Sequence, residues 1–511
     1  MERKLYRLSF IVILAVSLEF VHGQQPSVGL NVGTLNGLAE TVSIASQDYT
    51  VHKYLGIPFA KPPVGDLRLR KPVAVESLET NPYNATYHRA YCVQGFYEQP
   101  VANGQEDEDC LYLNVYVPDQ APDDAAGHAV MVWVYGGGYS IGAADSFDGS
   151  VLAAMGNVIV VTVNYRLTFF GFFSTMDSAA QGNYGLFDQA MAFQWVSDNI
   201  GGFGGDNQRV TIFGQSAGGM SVDFHALYPQ NHGLFQRIIT ESGVAPSPYL
   251  DMARDRTRGI QVLSSHLNCS ADYSQDIVDC LRSKSWLDIK NAILQITSDI
   301  ANWDALFLMP IVDYDIIPLD YMNLKERQGD IFNRVEFYQS LDVMHGSNRY
   351  DGGTFLNLVV GSLGGLNDWM PTQEEMSTYI SYLRTITADG PYPDHIRDVI
   401  HHEYTDWENP SSLESVRLQM ADLFTDYVYA VPVAQSAEVH YSSVGSSSTY
   451  VYRFLPATSG RLPYQPGWLT GADHSEELMM VFGMGFNSMS AEEQALSITV
   501  MTYWSNFAKT G

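Results

Sequence analysis

The chain has 511 residues, 46% of them hydrophobic, with 28 Lys and Arg against 57 Asp and Glu and a formal charge of -29. That length and apolar content suffice for a large buried core, and the acidic excess disfavours nucleic acids and anionic membrane surfaces as partners while leaving attraction of cations open. No Pro/Gly/Ser-rich linker, internal repeat or charge block divides the sequence, so residues 24–511 read as one large domain with long insertions.

Met1 to Gly23 has the form of a secretory signal peptide. Arg3, Lys4 and Arg7 lead into the apolar run Leu8 to Leu18, too short to span a bilayer, and Val21-His22-Gly23 ends in a small residue suited to cleavage. No later stretch is long and apolar enough for a transmembrane helix, so the mature chain is expected to be secreted and soluble. Export makes disulfides of Cys92, Cys110, Cys269 and Cys280. The short spacing of Cys269 and Cys280 suggests a local loop, which leaves Cys92 for Cys110, although sequence alone keeps the other connectivities open. Asn84-Ala85-Thr86 and Asn268-Cys269-Ser270 are candidate glycan acceptors.

Val130 to Val134 is a buried-strand run that opens into Tyr135-Gly136-Gly137-Gly138-Tyr139, where absent side chains let backbone N–H groups approach a ligand. A second apolar run, Val210 to Phe213, enters Gly214-Gln215-Ser216-Ala217-Gly218, and the helix-like Met220 to Leu227 follows. Strand, Gly-x-Ser-x-Gly and helix in that order are the signature of a nucleophile elbow. The glycines are needed because the central residue is strained, and a Cβ at Gly214 or Gly218 would meet the neighbouring strand or helix.

A serine hydroxyl is a weak nucleophile until a base takes its proton, and the base needs an acid to fix its tautomer. A carboxylate and then a histidine are therefore expected downstream, each in a loop after a strand. Order alone leaves several of the 13 histidines available. His474 sits in the polar turn Gly471-Ala472-Asp473-His474-Ser475-Glu476-Glu477, just before the helix-like Leu478 to Phe482. Leu341 to Gly346 reads as a strand leaving the core and Ser347 to Gly353 as the loop after it. Asp351 in that loop and Asp342 at the strand edge compete as the acid. The polar stretch Ser442 to Thr449 reads as a surface loop before a strand at Tyr450 to Phe454.

Six further blocks give these motifs a common context: Tyr54 to Ala60, Glu108 to Val115, Val163 to Arg166, Gly182 to Leu186, Phe203 to Arg209 and Tyr503 to Gly511. With the elbow, they make nearly the whole chain resemble the type-B carboxylesterase and cholinesterase family. The resemblance implies an α/β-hydrolase fold, with a central, mostly parallel sheet flanked by helices and large insertions. It implies catalysis by Ser216, Asp351 and His474, oxyanion donors at Gly137, Gly138 and Ala217, and no cofactor or metal. It also implies the pairs Cys92–Cys110 and Cys269–Cys280, an internal ion pair of Arg166 with Asp188, and further residues beyond Gly511.

Within the family, Asp351 and the Gly-Ala-Asp-His block look most like the bile-salt-activated lipases. Gln215 stands where the family commonly has glutamate, which removes a carboxylate that would favour a cationic substrate. The Cys92 to Cys110 segment holds Phe96 and Tyr97 but no tryptophan for a cation-π site, and Asn302 to Met309 lacks the paired phenylalanines that narrow an acetyl pocket. The resulting expectation is a secreted ester hydrolase acting through an acyl-enzyme on lipid or other apolar carboxylic esters. The alternatives are a cholinesterase-like hydrolase of choline esters and, in a different class, a neuroligin-like binding protein.

Overall fold

The computed structural model describes residues 25–95, 105–248, 256–299, 308–318, 324–325, 330–354, 356, 369–386, 394–442, 447–461 and 465–511. The signal segment, Phe96 and Tyr97, and Asn302 to Phe307 lie outside the described residues. At the centre is a nine-stranded sheet. Its strands in chain order are β1 (Leu38–Ile44), β2 (Gln47–Pro58), β3 (Tyr112–Pro118), β4 (His128–Val134), β5 (Ile159–Val163), β6 (Gly205–Gln215), β7 (Arg237–Glu241), β8 (Asp342–Asn348) and β9 (Thr449–Phe454).

Across the sheet the order is β1-β2-β3-β5-β4-β6-β7-β8-β9. Pairing is antiparallel from β1 as far as β5 and parallel from β5 to β9. The parallel strands are apolar along their length because both faces are covered: every residue of β4 and β5 is buried. After β4 the chain turns to β5 on one side and later returns to β6 on the other. The carboxyl ends of β4 and β6 thus flank a topological switch point, where open α/β sheets leave a crevice for ligands.

Helices α1 (Ala217–Ala226), α2 (Leu413–Thr425), α3 (Val431–Tyr441) and α4 (Ala491–Thr510) matter most for the site. A capping box starts α4: Ser490 Oγ accepts from Glu493 N–H, and the Glu493 carboxylate accepts from Ser490 N–H. The helix is then pinned to the sheet, where Trp504 Nε1 donates to Glu241 Oε1 at 2.8 Å and Arg237 Nη1 donates to the Ala508 carbonyl at 3.2 Å.

The cysteines pair as the resemblance implied, Cys92 with Cys110 and Cys269 with Cys280. The second bridge borders a satellite core in which Leu263, Val278, Leu281 and Ile289 are buried. Arg166 and Asp188 form the expected internal pair, with two guanidinium N–H groups donating to the two carboxylate oxygens at 2.7 Å each. Asn84 and Asn268 are both exposed. Among the described residues no helix is long and apolar enough to cross a membrane.

Candidate active site

Ser216 stands between the end of β6 and the start of α1 with φ 57° and ψ -125°. Such a conformation costs a side-chain-bearing residue on the order of 1–3 kcal/mol, so the surroundings must impose it. They do so through backbone. Ser216 N–H donates to the Glu241 carbonyl on β7 at 2.8 Å, and the Ser216 carbonyl accepts from Met220 N–H at 2.9 Å. A Cβ on Gly214 would lie 2.6 Å from the Val134 oxygen and from the Gly218 backbone; one on Gly218 would lie 2.0 Å from the same Val134 oxygen. The strand and helix therefore approach too closely for any residue but glycine at both positions. From Val210 to Tyr228 every residue is buried except Ser216, which keeps partial access to solvent.

The glycine loop after β4 lies against this serine. A Cβ on Gly136 would come within 2.9 Å of Ser216 Cβ, and Gly137 and Gly138 follow in the left-handed region at φ 109° and 60°. Among the described residues, the N–H groups of Gly137, Gly138 and Ala217 have no protein acceptor. That of Ala217 also opens α1, where the helix dipole favours negative charge.

His474 and Asp351 meet at the same end of the sheet, on the loops that follow β9 and β8. The imidazole Nδ1 is 2.9 Å from Asp351 Oδ1. Asp351 is fully buried, and its other oxygen accepts from Ser242 Oγ at 2.8 Å and from Asn348 N–H at 2.5 Å. Asp342 lies at the opposite end of β8, where it accepts from Ser448 N–H and faces Arg237. Of the two competing carboxylates only Asp351 reaches the histidine.

Because Asp351 accepts at Nδ1, the neutral ring carries its proton there and leaves Nε2 as an acceptor. Gln215 Nε2 lies 3.1 Å from that nitrogen and donates to it. Among the described residues Ser216 Oγ has no hydrogen-bond partner, so Nε2 meets the neighbouring amide in this state.

The two loops are tied by residues that the sequence reading did not single out. Asp473 accepts from His474 N–H at 2.7 Å and, across the gap, from Thr354 N–H at 3.0 Å and Thr354 Oγ1 at 3.1 Å. Tyr350 N–H donates to the Ala472 carbonyl at 2.8 Å, and Gln465 Nε2 holds the His474 carbonyl at 2.7 Å. Burial pushes Asp473 up to about 7. Behind Asp351, burial also pushes Glu241 up to about 8. Glu477 is raised by burial and by the negative charge of Glu241 and Asp351. These carboxyls hold protons at pH values where an exposed one would be ionised.

Residues 24–511 match the carboxylesterase family. The chain belongs to that family. Among relatives, it is 34% identical to neuroligin-3 of Mus musculus, an alignment that covers 95% of the chain and 62% of that protein. It is 33% identical to bile salt-activated lipase of Bos taurus, covering 95% of the chain and 79% of the relative. It is also 33% identical to acetylcholinesterase of Bungarus fasciatus, covering 94% and 78%. The family thus joins hydrolases to a protein whose name carries no hydrolytic activity, and the choice between them rests on the residues of the site.

Proposed function

We propose that this carboxylesterase-family member is a secreted serine hydrolase of carboxylic esters, with residues 1–23 as its signal peptide and 24–511 as its hydrolase domain. Ser216 is the nucleophile, His474 the base, Asp351 the acid that orients it, and the N–H groups of Gly137, Gly138 and Ala217 the oxyanion donors. One observation supports the reading: a partly exposed serine on a strained turn directly follows Gln215, whose amide meets a buried histidine–aspartate pair, in the chain order of the fold.

His474 Nε2 first exchanges the Gln215 amide for the serine hydroxyl. It then takes the Ser216 proton as Oγ bonds to the ester carbonyl carbon. The carbonyl electron pair moves onto oxygen, where the three unpaired N–H groups meet it; removing one such donor elsewhere costs about 10² to 10³ in kcat. As the C–O bond to the alcohol breaks, His474 returns its proton to the leaving oxygen. Water repeats the cycle on the acyl-enzyme and releases the carboxylic acid. Every transfer balances with protein groups and water alone.

An apolar or lipid ester is the favoured substrate. Likeness to bile salt-activated lipase supports it, and so does the neutral Gln215 beside Ser216, where a carboxylate would attract a cation. Likeness to acetylcholinesterase supports choline esters as the competing class. The test compares soluble p-nitrophenyl butyrate and short glycerol esters with acetylcholine, all below their micelle concentrations. The apolar esters are expected to lead in kcat/KM by at least roughly tenfold, about 1.4 kcal/mol of differential transition-state binding. Acetylcholine as the best substrate would overturn the assignment of substrate while leaving the triad. The likeness to neuroligin-3 supports a second reading, a binding protein without turnover, for which no ester of either kind would be hydrolysed.

A further inference from the structure

Residues 413–441 form one helical run interrupted by a widened turn. α2 ends at Thr425, α3 begins at Val431, and Asp426–Ala430 between them is π-helical. Pro432 supplies the cause. It has no N–H to give to the Val428 carbonyl four residues back, and in a regular helix its ring would press on that carbonyl. Val431 N–H instead donates to the Asp426 carbonyl five residues back, and the Val428 carbonyl accepts from Ser247 Oγ at 3.5 Å. The extra residue rotates the turn's side chains out of the regular helical register. Turns of this kind recur at functional sites.

The end of α2 and this turn reach both loops of the buried pair: Thr425 meets the loop of Asp351, and Tyr429 meets His474 itself. Thr425 Oγ1 accepts from Gly352 N–H at 2.9 Å, directly beside Asp351 in the acid's loop. That contact is close enough that a Cβ on Gly352 would fall 2.3 Å from Thr425 N. Four residues on, the Tyr429 ring covers one face of the His474 imidazole, with centroids 4.8 Å apart and planes 31° from parallel. Both side chains are buried, at 6% and 8% exposed.

Once Nε2 leaves the Gln215 amide, the ring is held by one hydrogen bond at Nδ1 and can tilt about it, and tilt moves Nε2, the atom that must reach the serine. We propose that Tyr429 is a positioning residue whose ring, delivered by the π turn, fixes the tilt of His474 so that Nε2 travels only between the Gln215 amide and Ser216 Oγ. The negative face of the tyrosine ring also meets the positive charge that the imidazole gains when it takes the serine proton. The inference rests on the esterase reading above.

The test uses the full chain with Tyr429→Phe, Tyr429→Leu and Ser216→Ala, measuring kcat, KM and melting temperature with p-nitrophenyl butyrate. Tyr429→Phe keeps the flat ring and is expected within roughly threefold of wild type in kcat. Tyr429→Leu is expected to lose about 10- to 100-fold in kcat with KM little changed, the scale on which a misplaced catalytic group costs rate. Tyr429→Met, which fills the space without a ring, takes the place of the leucine variant if that one does not fold, and the same loss is expected of it. A ringless variant that folds and keeps wild-type kcat would overturn the proposal. So would an effect confined to KM, which would make Tyr429 a wall of the substrate site. Ser216→Ala separates the two layers: turnover retained there removes the esterase reading whatever Tyr429 does, whereas turnover lost there with Tyr429→Leu unimpaired removes only this inference.

Discussion

The serine half of the proposed site and its aspartate–histidine half are built by different means. Around Ser216 the fixing contacts are backbone on backbone: β6 and α1 approach the end of β4 so closely that Gly214 and Gly218 have no room for a Cβ, and β7 holds the serine N–H. Around Asp351 and His474, which lie 123 positions apart, the fixing contacts run mostly through side chains: Ser242 on the acid, Asp473 and Gln465 on the histidine loop, Tyr429 on the imidazole. Geometry imposed by backbone tolerates no substitution where it is tight. Geometry imposed by side chains can be altered one contact at a time.

The largest break comes from Gly218→Ala, which puts a Cβ 2.0 Å from the Val134 oxygen. With backbone on both sides nothing flexible can yield, so the variant is expected to fail in secretion or to melt well below wild type. A fold and activity equal to wild type would show that the elbow is looser than it looks. Ser216→Ala should do the opposite. It leaves the packing intact, keeps secretion and melting temperature, and removes turnover, by on the order of 10⁶ in kcat where such serines have been replaced.

On the other half, Asp351→Asn should fold and lose roughly 10⁴ in kcat by favouring the wrong histidine tautomer, while Asp342→Asn changes kcat little. The reverse ranking would show that the acid has been misassigned.

The asymmetry also explains what the sequence displayed. Ser216 was legible because its strained backbone demands glycines at fixed offsets, and because β4 and β6 are apolar runs that only a sheet covered on both faces requires. Four of the six parallel strands, β4, β6, β8 and β9, could be read as strands, but the order across the sheet and the antiparallel edge could not, since they are set by contacts between distant segments. Asp351 could be separated from Asp342 only through the family resemblance. Locally both are acids near one strand, and what distinguishes them is which end of β8 they occupy. Ser242 and Tyr429 carried no local signal of function, and Asp473 was visible only as part of the block that marks His474. Pro432 inside a helical pattern was the one mark in the sequence that the helix bearing Tyr429 would depart from regularity.

The smallest effect concerns the buried carboxyls behind Asp351. Glu241 Oε1 accepts from Trp504, whereas its Oε2 has no partner among the described residues, and burial raises the group from its ordinary 4.5 to about 8. The folded chain therefore keeps a proton that the unfolded chain has lost. The stability this represents is complete below about 4.5 and disappears as pH rises through about 8. Glu241→Gln keeps an acceptor for Trp504 without the titration. Melting temperatures between pH 5 and 9 should fall less steeply for this variant than for wild type, and parallel curves would mean that Glu241 does not hold the proton.

The central claim is that Ser216 is an activated nucleophile, and a fluorophosphonate probe tests it directly, since it phosphonylates only a serine whose proton a base can remove. Peptide mass analysis of the labelled wild-type protein should find the adduct on Ser216, with no label on Ser216→Ala and much slower labelling of Asp351→Asn. A folded wild-type protein that refuses the probe, or an adduct that persists in Ser216→Ala, would contradict the account.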